Sequence, residues 1–441
     1  MKNIKISLIA AIAAGSFGAL NATPLEEAIK DVDVSGSFRY RYDSFIVTPA
    51  DGGDKDYSDA QLHKFKAQLT TSVSAGDGFK FVGTLNYNPD EEGDGGFNAL
   101  ARTKLPIYLE EAYLRYDSSD IYATSILLGR QRLNTIWTDN DNLQGSVGMK
   151  AQLINKALSG VTLTAFAVDS VNDDGDFVGA ETFGTGHTEE NPVNFQGSYA
   201  TLKDAVFAQN LYGAAVLLDY GESVGVTGQA WFGYVNDRIA MYAVDLGYTL
   251  SFADAGSWSI QAQYLGNNPV SYLKNDEFKT AAATASVGEF GNGSLYTIAT
   301  GVELFGFDAS VGYTAYGKKD KLTLNVLEDM GDIITAGEEI QNLSGASLHG
   351  DIGRNQIVFG SLGYTIMDLV RVGADYAWGQ TKIADTNGDI KNTNQEIVGR
   401  LEYTHSDKLV FSGFYSFVTQ KPKGGETEKQ NNIRFEARYD F

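Results

Sequence analysis

The chain has 441 residues, no cysteine, and a formal net charge of −22 from 34 Lys or Arg against 56 Asp or Glu. The missing cysteines exclude a disulfide framework, a thiolate zinc site and a cysteine nucleophile, and the acidic balance argues against a nucleic-acid partner, because a phosphate backbone requires a basic surface. Gly (49), Tyr (24) and Phe (24) are abundant and Pro (7) is scarce, and outside the amino terminus no run of 18 apolar residues occurs, which favours many strands joined by tight turns over helical membrane spans.

At the amino terminus Lys2 and Lys5 precede the apolar stretch from Ile6 to Leu20, which ends in Leu20-Asn21-Ala22. This is the pattern of a secretory signal over residues 1–22, too short to cross about 30 Å of hydrocarbon. A single domain over 23–441 is expected to follow, and loss of the two leader lysines would take the formal charge from −22 to −24.

From Val32 the chain alternates. Val32, Val34, Gly36, Phe38, Tyr40 and Tyr42 fall on one face, and Asp33, Ser37, Arg39 and Arg41 on the other, the period-two signature of a strand. Next, Phe65, Ala67, Leu69, Thr71 and Val73 oppose Lys64, Lys66, Gln68, Thr70 and Ser72; after Gly76-Asp77-Gly78, Phe79, Phe81, Leu85 and Tyr87 oppose Lys80, Thr84 and Asn86. The same test predicts strands near 107–116, 121–132, 146–155, 161–170, 209–220, 224–235, 238–252, 257–266, 293–304, 307–317, 356–366, 369–382, 394–405, 408–420 and 431–441, eighteen in all. Short turns near 117–120, 221–223, 253–256, 367–368 and 406–407 alternate with long polar stretches, the longest from Val171 to Ala208 and from Lys318 to Asn355.

An even number of antiparallel strands lets the last pair with the first, and the last segment alternates Ile433, Phe435, Ala437, Tyr439 and Phe441 with Arg434, Glu436, Arg438 and Asp440 to the chain end. A barrel of this size encloses a lumen too wide for side chains to fill, so the apolar face must meet lipid, where a charge would cost about 2–4 kcal/mol at mid-depth. Val370, Val372, Ala374, Tyr376 and Trp378, like Leu409, Phe411, Gly413, Tyr415 and Phe417, form uncharged outward faces, while Arg371, Asp375, Glu396, Arg400 and Glu402 point inward. Around Ile126-Leu127-Leu128 and from Phe359 to Tyr364 both faces are apolar, which fits either a subunit contact or a different register. The expected fold is an all-β transmembrane antiparallel barrel of 18 strands.

Closure joins strands 16–18 and 1–4 into one arc whose inward positions include Arg400, Arg434, Arg438, Arg39, Arg41, Lys64, Lys66, Lys80 and Arg115, a basic wall. After strand 5, Leu133-Asn134-Thr135-Ile136-Trp137-Thr138-Asp139-Asn140-Asp141-Asn142 is too apolar to wave in solvent. It is expected to fold into the lumen on Ile136 and Trp137, with the acids Asp139 and Asp141 facing the basic arc across a constriction and orienting dipolar solutes. The plainer alternative is a solvated interior with no special field.

Thr23-Pro24-Leu25-Glu26-Glu27-Ala28-Ile29-Lys30-Asp31-Val32-Asp33-Val34-Ser35-Gly36 and Arg39-Tyr40-Arg41-Tyr42-Asp43 resemble the mature start of the Campylobacter-type major outer membrane porins, general porins of the epsilon class of proteobacteria. So do Ile136-Trp137-Thr138-Asp139-Asn140, Ala165-Phe166-Ala167-Val168-Asp169-Ser170, Ala336-Gly337-Glu338-Glu339-Ile340 and Val370-Arg371-Val372-Gly373-Ala374-Asp375. The resemblance implies an 18-stranded homotrimeric porin of the outer membrane, passing small hydrophilic solutes and ions with a moderate preference for cations. Its expected partners are outer-membrane lipid, lipopolysaccharide and, during biogenesis, the barrel-assembly machinery. It also implies a calcium ion at the constriction, for which the matching positions are Asp141, Asp176 and Glu328. This chain departs from the family pattern in having Leu143-Gln144-Gly145 where an Ile-Asp-Gly is usual, leaving Asp141 as a displaced substitute. Independently, Asp173-Asp174-Gly175-Asp176 offers hard oxygen ligands at close spacing without a complete EF-hand loop.

Two rival readings remain. An enzyme would need a nucleophile beside a base, but His63, His187, His349 and His405 stand near no nucleophile motif, and no phosphate-binding loop or His-Glu-x-x-His is present. A surface or adhesion barrel, whose long acidic loops bind host or matrix partners, is the stronger alternative.

Overall fold

The structure is a computed structural model that describes residues 32–50, 53, 55, 62–87, 107–118, 122–141, 143, 145–172, 206, 209–252, 255–276, 278–279, 289–328, 330–386 and 388–441. The signal segment 1–22 and the acidic run 173–176, with Asp176, lie outside the described residues.

Eighteen antiparallel strands form one sheet: β1 (Val32–Thr48), β2 (Leu62–Gly76), β3 (Phe79–Tyr87), β4 (Tyr108–Asp117), β5 (Thr124–Arg132), β6 (Val147–Leu158), β7 (Val161–Asn172), β8 (Leu211–Tyr220), β9 (Val226–Val235), β10 (Ile239–Ser251), β11 (Gly256–Pro269), β12 (Ser294–Leu304), β13 (Phe307–Tyr316), β14 (Arg354–Ile366), β15 (Val370–Ile383), β16 (Ile390–Ser406), β17 (Leu409–Pro422) and β18 (Glu428–Asp440). Each pairs with its neighbours in sequence, and β1 closes on β18 from Ser37 opposite Asp440 to Thr48 opposite Lys429. Closure leaves no edge strand, so every strand finds partners on both sides. Among the described residues no helix is long and apolar enough to cross a membrane.

Every strand expected from alternation is present, with ends shifted by a few residues; β1 and β16 extend furthest beyond the expectation. Turn chemistry explains the short-turn rim. Met367 and Asp368 both have positive φ (54° and 57°), the conformation whose twist matches a two-residue hairpin. A single helical turn, Gly221–Val224, joins β8 to β9 where a plain turn was expected.

The outer face is apolar as the alternation requires: Val372, Tyr376, Trp378, Ile397, Tyr415 and Phe435 are exposed, while Ala377, Val398, Ser416 and Asn432 beside them are buried on the lumen side. The core lies inside the barrel rather than between layers. Leu133, Ile136 and Trp137 join it with Leu322, Leu324, Val326, Leu327, Ile340 and Leu343, against inward residues of β7, β9, β10, β11 and β14. Two loops therefore fold inward: L3, residues 133–146 after β5, and L7, residues 317–353 after β13. Only L3 was expected to. L7 also accounts for the two-sided apolar stretch of β14, since Ile357 and Phe359 pack into this core while Val358 and Leu362 face outward, with no slip in register. On β5 the arrangement is simpler: Leu127 is buried and Ile126 and Leu128 are exposed.

Candidate functional site

L3 is seated by its large apolar side chains. Trp137 lies edge-on to Trp231 of β9 at 6.1 Å between ring centroids, and a Cβ at Gly233 would stand 3.2 Å from the Trp137 ring, so this glycine makes room for it. Past this anchor the chain turns back. The Asp139 carboxylate accepts from the Asp141 N–H at 2.8 Å and the Asp141 carboxylate from the Leu143 N–H at 3.0 Å, two successive side-chain turns.

L7 runs on from L3. The N–H groups of Leu327 and Glu328 donate to the Trp137 carbonyl at 2.7 and 3.2 Å, and Asp332 N–H to the Ile136 carbonyl at 3.1 Å. Glu328, buried, accepts from Ser146 Oγ at 2.9 Å and from Asp139 N–H at 3.1 Å, stitching the loops together. On β11, Gln263 brackets the strap from the wall: its Oε1 accepts from Ile334 N–H at 2.7 Å and its Nε2 donates to the Asp332 carbonyl at 3.3 Å. Farther on, the Glu396 carboxylate of β16 accepts from the N–H groups of Glu338, Glu339 and Ile340 at 3.0–3.2 Å and from Ser416 Oγ at 2.6 Å. A side chain at Gly337 would collide with that carboxylate. Glu338 pairs with Arg400, and Asn432 of β18 donates to Glu339. The two loops together span the lumen.

The arc from β16 through β18 and β1 to β4 carries the bases expected of it, but it is not a bare basic wall. Arg41 grips Glu436 at 2.7 and 2.9 Å, and Arg434 reaches Asp43 at 2.6 Å with Lys64 3.5 Å from the same carboxylate. Arg400 contacts Asp375 at 2.5 Å as well as Glu338. Arg39 and Lys66, opposite each other in register, are buried on the inner face. Arg115, paired with Asp117 at 2.8 Å, and the exposed Lys80 lie toward the short-turn rim, away from the loops. On β4 a register shift places Glu110 and Glu111 side by side, both paired with Arg132, at 3.0 and 3.8 Å.

Asp141 touches this arc rather than facing it across open space: its carboxylate lies 3.0 Å from Arg438 Nη1, and Arg438 also reaches Asp440 at 3.0 Å. Burial pushes the Asp141 carboxyl up, but the Leu143 N–H and Arg438 outweigh it and hold the group below the ordinary carboxylate range. Asp139 is half-buried at the L3–L7 junction. In L7, burial and, more weakly, Glu396 push Glu339 up to about 7 against its hydrogen bonds from Asn342 and Asn432.

Of the calcium positions implied by the resemblance, Asp141 and Glu328 have both carboxylate oxygens occupied by N–H or O–H donors. As placed, this pair does not fit a cation; Asp176 lies outside the described residues. Among the described residues no three His, Asp or Glu side chains gather as a metal set.

A closed barrel with an apolar exterior and an ionised lumen narrowed by inserted loops defines an outer-membrane porin. The family described as Campylobacter major outer membrane protein matches residues 1–441, and the chain belongs to it. No curated protein matches the chain. Among solved structures it is similar to OccAB4 of Acinetobacter baumannii (TM-score 0.61, 12% identity, covering 93% of this chain and 98% of that one). It is also similar to OpdQ of Pseudomonas aeruginosa (TM-score 0.61, 14% identity, 94% and 100%). At such identities these likenesses show the fold alone. The protein resides in the outer membrane.

Proposed function

We propose that this porin is a water-filled channel for passive diffusion of small hydrophilic solutes and ions, with a moderate preference for cations. One observation carries the ion preference. Residues 133–146 of L3 and 322–353 of L7 contain eight Asp or Glu and no Lys or Arg, whereas the arc's Arg41, Arg434, Arg400 and Arg132 already have carboxylates on the barrel wall. Although Arg438 and Arg400 hold Asp141 and Glu338, the loops thus add net negative charge to the lumen, where low-dielectric walls strengthen its field.

The reading assigns no enzymatic role to the chain; the His63 ring is tilted against Tyr42 and the His405 ring meets Tyr403 edge-on, both on the outer face. The homotrimer implied by the resemblance belongs to the same proposal and is tested by native mass measurement. A calcium ion at the constriction would have to displace Arg438 from Asp141, so chelator should leave the selectivity unchanged unless residues outside the described set supply the ligands. The main test is the reversal potential of the reconstituted protein in a salt gradient, with and without chelator. A cation-selective potential that falls in the Asp139→Asn, Asp141→Asn double variant supports the proposal; an anion-selective or non-conducting barrel refutes it.

A further inference from the structure

Among the described residues the acidic chain carries a dense basic patch on its outer face, at the long-loop ends of five neighbouring strands. Arg354 of β14 stands directly opposite Lys382 of β15, and Lys382 directly opposite Lys391 of β16. Lys421 of β17 is opposite Thr393, next to Lys391 on the same face, and Lys429 of β18 is opposite Thr419, next to Lys421. All five point away from the lumen, because Asn355, Thr381, Asn392 and Gln420 next to the first four, and Asn432 three residues beyond Lys429, set the buried inward register. Four strand spacings make this a row roughly 19 Å long.

Like charges directly opposite across a sheet are destabilising, and among the described residues none of the five forms an ion pair. Carboxylates close by are engaged elsewhere: Asp389 with Lys319 and Glu428 with Gln430, both at 3.0 Å. Glu426 and Asp385 sit in the connecting segments above the row. The rest of this face descends in chemical order. Two residues along each strand from its cation lie Gln356, Gln380, Thr393, Thr419 and Asn431; four along lie Val358, Trp378 and Ile433; and six along lie Ile397 and Tyr415, whose hydroxyl donates to Asn431 at 2.8 Å, the residues of these last two levels being exposed to lipid. Phosphate, sugar and acyl chain would meet cation, amide or hydroxyl, and apolar surface at matching depths.

We propose that the outer face of β14–β18 is a docking surface for a phosphorylated glycolipid of the outer leaflet, its phosphates held by Arg354, Lys382, Lys391, Lys421 and Lys429. The long-loop rim is the extracellular one in such barrels, so the row stands at the level of outer-leaflet headgroups, and it lies on the opposite side of the wall from the ions of the lumen. Charge complementarity selects this occupant over a neutral lipid. Each cation contributes about fivefold to the binding of an anionic headgroup.

The test is native mass spectrometry of the detergent-solubilised full-length protein titrated with bis-phosphorylated lipid A, with its phosphate-free counterpart and with inorganic phosphate as competitor. The unsubstituted protein and the short-turn-rim control Lys408→Gln should retain the phosphorylated lipid. The triple variant Lys382→Gln, Lys391→Gln, Lys421→Gln should bind it on the order of a hundredfold more weakly, and the corresponding triple Lys→Arg variant should bind like the parent. Inorganic phosphate should fail to displace the lipid. Equal retention of the phosphate-free lipid by the unsubstituted protein overturns the proposal without recourse to any variant, as does undiminished binding by a folded Gln variant or displacement by phosphate alone.

Discussion

The two halves of the lumen wall are built on different principles. From β16 through β18 to β5 the inward side chains are long and ionised, and they interlock: Arg41 with Glu436, Arg434 with Asp43, Arg132 with Glu110. Opposite them, from β9 to β14, the inward positions toward the short-turn rim are mostly small and uncharged, including Thr227, Gly247, Thr249, Ser259, Gly301, Ser310 and Ser361, with Asp245, Glu303 and Asp308 the acids among them, and the small ones line a cavity of about 450 Å³ beneath L7 that Asp375 and Arg400 close on the other side. One wall supplies the field and the other supplies the room. The loops complete the division, since their apolar residues rest on the uncharged side while Asp141, Glu338 and Glu339 reach the ionised side.

The comparison breaks most severely if the anchor on the uncharged side is removed. Trp137→Ala should cost about 3–5 kcal/mol of L3 seating, releasing the loop and raising single-channel conductance, with thermal unfolding measured in parallel. Next in size, Glu396→Ala leaves the N–H groups of Glu338, Glu339 and Ile340 without their acceptor, at about 1–3 kcal/mol for each donor left buried. Hydrogen exchange of L7 should rise while the strands remain protected, and Glu396→Gln, which keeps one acceptor oxygen, should show a smaller effect.

Charge changes on the ionised side should alter selectivity far more than stability. The Arg438–Asp141 pair is about a third exposed on each side chain, so its loss should cost only about 0–1 kcal/mol. Arg438→Gln should shift the reversal potential toward cations and Asp141→Asn away from them; identical shifts would contradict the pairing.

The smallest effect is a titration. Because the folded-state pKa of Glu339 is pushed up to about 7, the carboxylate takes up a proton as pH falls through that value and cation preference should step down there. The stability linkage runs the opposite way: the folded protein binds this proton before the unfolded chain does, so L7 should hold more firmly as pH falls from above 7 toward the ordinary carboxylate range. Glu339→Gln should remove both changes.

Much of this was legible in the sequence because a barrel strand is a local object. Alternation alone placed the eighteen strands, and the terminal Phe441 with its alternating predecessors indicated closure onto β1. Ile136 and Trp137 in an otherwise polar connection marked L3 as inserted. The same signal was present in L7, where Leu322, Leu324, Val326 and Leu327 are wasted on a solvated loop, but abundant Asp, Glu and Gly masked it. Pairings across the lumen left no local trace. Nothing near Asp141 in the chain indicates Arg438, 297 positions away, and nothing near Glu396 indicates that it caps the turn at Glu338. The apparently basic arc reads as basic only while its acidic cross-strand neighbours, such as Glu436 opposite Arg41, are left out of register.

The central claim, that ionised side chains border water and oily ones border lipid, is open to one direct measurement, which the absence of native cysteine makes clean. Single cysteines replace Glu338 inside and Ile397 outside, and a charged, membrane-impermeant thiol reagent is added to the reconstituted protein. Rapid labelling with a stepwise fall in current for Glu338→Cys, and neither for Ile397→Cys, is the predicted result; labelling of Ile397→Cys with Glu338→Cys protected would contradict it.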